Sequence, residues 1–77
     1  MSRIAILGAS GGLGTQLVTC ALEEGFEVSA LVRDPEKITS ANYNLTVIQG
    51  DAGSGEDIQV ATEGCRFVVS ALAPPSP

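Results

Sequence analysis

Four short segments rich in branched apolar residues, at 3–7, 26–32, 45–49 and 67–72, alternate with helical periodicity or helix-start signals along 77 residues. Few folds accept such an order. Segment 3–7 (RIAIL) is a compact apolar run stopped by glycine, as a strand buried on both faces is, and 26–32 (FEVSALV) is apolar on both parities near its end. Between the first two, Gly14, Leu17, Val18, Ala21, Leu22 and Gly25 recur at helical spacing, while Thr15, Gln16, Thr19 and Glu23 fall outside that set. The pattern predicts an amphipathic helix over 12–24, with Gly25 as its left-handed stop. Asp34-Pro35-Glu36 signals a short helix capped by Asp34, and 39–44 reads as polar loop. Ser54-Gly55-Glu56-Asp57 has capping-box spacing. It opens a helix whose inner face is Ile58, Ala61 and Cys65 and whose stop is Gly64. Strands joined by such helices form right-handed crossovers and a parallel sheet. The expected architecture is α/β and three-layered, a Rossmann-like sheet of about four strands in the order 3-2-1-4. Residues 1–73 form this domain, and 74–77 are a Pro-rich tail.

Composition narrows the function. Four Lys+Arg against nine Asp+Glu leave a net charge of −5, the wrong sign for a nucleic-acid or anionic-membrane partner. With no Trp, one Tyr and two Phe, there is little to stack on unpaired bases. The absence of His and the presence of only Cys20 and Cys65 exclude a structural zinc set and His-based catalysis. Both cysteines read as packing residues, with no sign of thiolate activation. Neither apolar stretch reaches the roughly 20 residues of a membrane helix, and the first is too short for a signal peptide. Two cysteines are too few for a disulfide framework, so a reducing cytoplasm is expected.

The chemistry concentrates at Gly8-Ala9-Ser10-Gly11-Gly12-Leu13-Gly14, between the first strand and the first helix. Gly8 allows a sharp turn at a backbone angle other residues avoid. Gly11 and Gly12 remove side chains that would keep a pyrophosphate from the backbone. Gly14 lets the helix sit close to the sheet. The first amides of that helix lack intrahelical acceptors, and the helix dipole adds roughly half a positive charge there, so an anion is the natural occupant. Ser10 adds a hydroxyl donor. A purely structural turn and an adenosyl site of the methyltransferase type are the alternatives. A P-loop would need a lysine that this loop lacks.

At the end of the second strand the sequence reads Val32-Arg33-Asp34-Pro35. An acid there would bind the ribose 2′-hydroxyl, whereas an Arg accommodates a 2′-phosphate. Arg33 can fork onto phosphate oxygens and stack on adenine; Asp34 is engaged as the cap. NADP(H) is therefore favoured over NAD(H). Lys37 is a weaker candidate for the same phosphate, and both cations also fit a solvated surface. Asp51 and the Ala52 amide, after the third strand, fit the adenine end or a simple turn. Ala71, Leu72 and Ala73, after the fourth, fit the floor near the nicotinamide ribose or plain strand packing. The negative net charge opposes an anionic cofactor at long range, so affinity must come from the helix end and Arg33.

At these residues the sequence resembles the atypical short-chain dehydrogenases. RIAILGASGGLG, LEEGFEVSALVRDPEKI, VIQGD and FVVSALA are similar to the N-terminal half of the NmrA-like NAD(P)H-binding group and of the biliverdin reductase B (flavin reductase) type. The resemblance implies a Rossmann fold with Gly8, Ser10, Gly11, Gly12, Leu13 and Arg33 on the NADP phosphates, and Asp51 and Ala52 at adenine. Ala73 departs from the glycine frequent in these relatives. The Tyr-x-x-x-Lys pair of classical members is absent, since Tyr43 is followed by Asn44-Leu45-Thr46-Val47. Such proteins are much longer, which makes this chain an expected N-terminal part or truncated relative of an NADPH-dependent oxidoreductase, with no catalytic residue of its own. A dinucleotide-sensing or interaction protein and a truncated product without activity are the other expectations. Truncation would leave strand four as an open edge that invites self-association.

Overall fold

A computed structural model describes residues 2–8, 12–38 and 42–71. Its elements are β1 (Arg3–Leu7), α1 (Gly12–Glu23), β2 (Glu27–Val32), a 3₁₀ turn (Pro35–Lys37), β3 (Leu45–Gln49), α2 (Gly55–Thr62) and β4 (Phe67–Ser70). The four strands form one sheet in the order β3-β2-β1-β4, every pairing parallel. The expected Rossmann-like architecture is thus present. No helix among the described residues is long and apolar enough to cross a membrane.

The order of the strands dictates the layers. The chain moves from β1 through β2 to β3 in one direction, then returns past both to reach β4 beside β1. Constant right-handed crossovers put helices from opposite directions on opposite faces. Accordingly, Val18 and Ala21 of α1 pack with Ile6, Val28, Ala30 and Val32 on one face. Ala61 of α2 packs with Leu7 and Leu31 on the other. This is why 3–7 and 26–32 show no alternation of apolar and polar residues: both parities face a helix. Ser29, 3% exposed, is the buried polar residue of this interior, and its hydroxyl donates to the Ala61 carbonyl at 2.8 Å.

Helix α1 ends as its glycine predicts. Gly25 has φ +90°, its amide donates to the Leu22 carbonyl at 3.1 Å, and the Phe26 amide donates to the Ala21 carbonyl at 3.0 Å. These two bonds make a Schellman close, with Glu24 as the cap rather than the last helical residue. They also keep Phe26 out of the strand, so β2 begins at Glu27. Gly64, φ +75°, follows α2 in the same backbone region.

Three further expectations need correction. Asp34 occupies the cap position of the 3₁₀ turn, but its side chain makes no capping bond. Pro35 has no amide to offer, and a three-residue turn presents few others. Cys20 does not pack; it is exposed on α1, on the side away from Val18 and Ala21. Strand β4 stops at Ser70 rather than at 72: Ala71 still donates to the Leu7 carbonyl at 2.8 Å, while Leu72 and the tail at 74–77 lie outside the described residues. Strands β3 and β4 are the sheet's edges. On β4, Phe67 and Val68 are about half exposed, at 48% and 52%, although Phe67 meets the Phe26 ring edge-on at 6.2 Å between centroids.

Candidate functional site

In a parallel sheet all strand ends of one polarity share a rim, and the bonds just beyond the strands show how this rim is built. The Gly50 amide donates to the Val32 carbonyl at 2.8 Å, the Gly8 amide to the Leu31 carbonyl at 3.0 Å, and the Ala71 amide to the Leu7 carbonyl. Along the rim the order is therefore Gly50-Asp51, Arg33, Gly8 and Ala71. Four segments remote in sequence, each carrying a candidate site residue, are thus brought side by side on one rim.

Gly8 has φ +75°, the left-handed region that costs a residue with a Cβ 1–2 kcal/mol in principle. It turns the chain out of β1 toward α1. At Gly12, the first residue of α1, an added Cβ would meet nothing within 4 Å, so a side chain there would have room. Leu13 is exposed at 61% and Gly14 is buried. The positive end of a twelve-residue helix can hold an anion. Ser10 and Gly11 lie outside the described residues.

The loop after β3, which carries Asp51 and Ala52, is more tightly built than the sequence suggested. Asp57, at the third position of α2, does not close the capping box reciprocally. Ser54 does accept the Asp57 amide at 3.4 Å, as capping requires. The Asp57 carboxylate instead reaches back to accept the Asp51 amide at 2.8 Å. Asp51 accepts the Gly53 amide on Oδ1 at 2.8 Å, and its carbonyl accepts the Ser54 amide at 2.9 Å. In this loop only the Ala52 amide is without an acceptor among the described residues, while Ala52 itself packs on the Leu7–Leu31–Ala61 cluster. Gly50 has no room for a side chain: an added Cβ would stand 2.9 Å from the Asp57 carboxylate and from Leu31 Cδ1.

Arg33 and Asp51, assigned separately from sequence, form an ion pair, Nη2 to Oδ2 at 3.7 Å. Both remain accessible, at 81% and 57%. Asp34 is exposed beside Arg33, and freeing it from the capping role removes one of the two grounds for NADP(H). The Lys37 side chain lies outside the described residues. Sequence reasoning missed Asp57 and Gly50 as parts of the site. The available signal was the spacing of Asp57 behind Gly50-Asp51, which was read as helix capping alone. At the opposite end of the sheet, Arg3, Glu27, Tyr43, Asn44 and Thr46 line a hollow of about 240 Å³. Its two charges are already paired at 3.2 Å, so it offers far less chemistry than the rim.

The profile of a family described as NAD(P)H-binding matches residues 8–77. The chain belongs to this NAD(P)H-binding, NmrA-like family of atypical short-chain dehydrogenases. The chain is similar to a 3-beta-hydroxysteroid dehydrogenase of Mycolicibacterium neoaurum, 39% identical over 95% of this chain and 20% of that protein. A photosystem II assembly factor of Cyanophora paradoxa is 36% identical over 86% of this chain and 21% of its own length. Among solved structures, a candidate epimerase of Bacteroides thetaiotaomicron superposes with a TM-score of 0.86 at 41% identity, covering 95% of this chain and 34% of that one. The chain thus spans about a fifth of the curated relatives it matches. As a family member it carries a nicotinamide dinucleotide-binding domain.

Proposed function

We propose that the chain is an NADP(H)-binding module of a cytoplasmic, NADPH-dependent oxidoreductase. The observation that carries this is the rim itself: Gly8, where the chain leaves β1 toward α1, lies between an exposed Arg33 on one side and Ala71 on the other. The Gly12–Gly14 amides would hold the pyrophosphate. Arg33 would take the 2′-phosphate, and the Ala52 amide would face adenine. The bound nicotinamide supplies the hydride; the residues of this chain bind and orient it. Ser10, Gly11 and Leu72 complete the proposed set by sequence position. Two free thiols are in keeping with a reducing compartment.

Asp34 is the group that would instead favour NAD(H), so two substitutions decide the preference. Titration with NADPH and NADH should show tighter NADPH binding that Arg33→Ala abolishes and Asp34→Ala leaves in place. Equal affinity for both cofactors in the parent chain overturns the NADP(H) assignment.

A second reading is a dinucleotide-sensing interaction protein. It is favoured by the 36% identical relative named for assembling photosystem II rather than for a reaction. Partner contacts that change with NADPH, without turnover, would distinguish it. In either case the half-exposed β4 edge is proposed to pair with a second copy.

A further inference from the structure

The Arg33–Asp51 pair bears on cofactor choice in a way neither residue does alone. Asp51 is the stationary partner. Its Oδ1 is fixed by the Gly53 amide and its own amide by Asp57, so Oδ2 is held out as a fixed anion. Arg33 is the mobile one, 81% exposed and in contact with Asp51 at 3.7 Å. A 2′-phosphate arriving at Arg33 must draw the guanidinium from Oδ2 and then sit close to that carboxylate. A 2′-hydroxyl does neither.

We propose that Asp51 is a specificity-determining residue that holds down the preference for NADP(H) by competing with the 2′-phosphate for Arg33. This rests on the cofactor assignment above. An Arg-only site would discriminate more sharply; the pinned carboxylate narrows the gap and keeps NAD(H) usable. Because both groups face solvent, the effect is bounded: exposed ion pairs account for at most about fivefold in an equilibrium, and salt reduces it further.

The test is fluorescence titration of the full chain with NADPH and NADH at low and high ionic strength. Asp51→Asn keeps an oxygen for the Gly53 amide while removing the charge. It should move the ratio of NADPH to NADH affinity about two- to fivefold toward NADPH, with a smaller shift at high salt. In an Arg33→Ala background the shift should shrink. Asp51→Ala also gives up the Gly53 bond, so both affinities should fall while their ratio still moves toward NADPH. If Asp51→Asn weakens NADPH more than NADH, Asp51 orients Arg33 instead, and the proposal is wrong. An unchanged ratio overturns it equally, whichever cofactor the parent prefers. The parent titration and Arg33→Ala judge the cofactor assignment separately. A parent and variants that bind neither nucleotide would sink both.

Discussion

The Asp57 carboxylate accepts the amide hydrogen of Asp51, six residues earlier, at 2.8 Å. A helix-terminal side chain thereby shapes the loop that faces the proposed adenine position. Asp57→Ala removes this acceptor and a favourable charge at the start of α2, at an expected cost of about 1–3 kcal/mol. It should weaken NADPH and NADH binding by the same factor, because the loop and not the 2′ position is disturbed. Asp57→Asn should restore most of both. Urea unfolding and paired cofactor titrations check this.

Two glycines on the same rim should answer differently to alanine. At Gly50 the new methyl would stand 2.9 Å from Asp57 and Leu31, and such overpacking costs about 1–3 kcal/mol. At Gly12 the methyl meets no atom of the described chain. Gly12→Ala should therefore leave the unfolding midpoint unchanged or slightly raised while reducing NAD(P)H affinity. Retention of full affinity would show that nothing approaches the backbone there.

Ser29→Ala removes a buried donor and leaves the Ala61 carbonyl, which it meets at 2.8 Å, with only the weaker bond from the Cys65 thiol. The expected destabilisation is about 1–3 kcal/mol, read as a lower denaturant midpoint. Cofactor preference should stay as it was, since Ser29 lies under α2 and not at the rim.

The two thiols should separate in reactivity. Cys20 is exposed, whereas burial pushes the Cys65 thiol above its ordinary value of 9.0, an effect that Arg3 partly offsets. The Cys65 thiol also donates to the Ala61 carbonyl at 3.4 Å. Iodoacetamide near neutral pH should label Cys20 first. A folded-state pKa that is raised means the folded protein holds the proton more tightly than the unfolded chain. The stability this gives is complete below the ordinary thiol value and is lost as pH rises through the folded one. Unfolding free energy should therefore decline on the alkaline side, and Cys65→Ala should flatten that part of the profile.

Val68, half exposed on β4, is the position to test for edge pairing. Sedimentation of the parent chain should show concentration-dependent association. Val68→Lys places a charge on that edge and should shift the distribution toward monomer without changing the circular dichroism spectrum. A parent that stays monomeric at every concentration would rule out the pairing.

Periodicity and punctuation made the fold legible. Glycine at 25, β-branched residues in 26–32 and the alternation of elements each reflect a local steric rule, and the register of α1 against the sheet followed from Val18 and Ala21. The positions of Arg33 and Asp51 could be read because strand ends in a parallel sheet are predictable. Their pairing could not, since it depends on how β2 and β3 align side by side. The return of Asp57 to Asp51 was hidden for a related reason: the capping-box pattern offers the same carboxylate a local partner, and only the folded loop shows which amide wins. Cys20 failed as a core residue because one helical step separates Ala21, under the helix, from its exposed neighbour.

Strand β4 lies against β1, with Phe67 opposite Ile4 and Ser70 opposite Leu7. Strand β1 is thus flanked on one side by β2 and on the other by a strand more than sixty residues further along the chain. Pairing so distant must close a long loop and forms late in folding, so the shelf under Gly8 gains its second neighbour after its first. A substitution that loosens β4 would leave Gly8 with half of its sheet support.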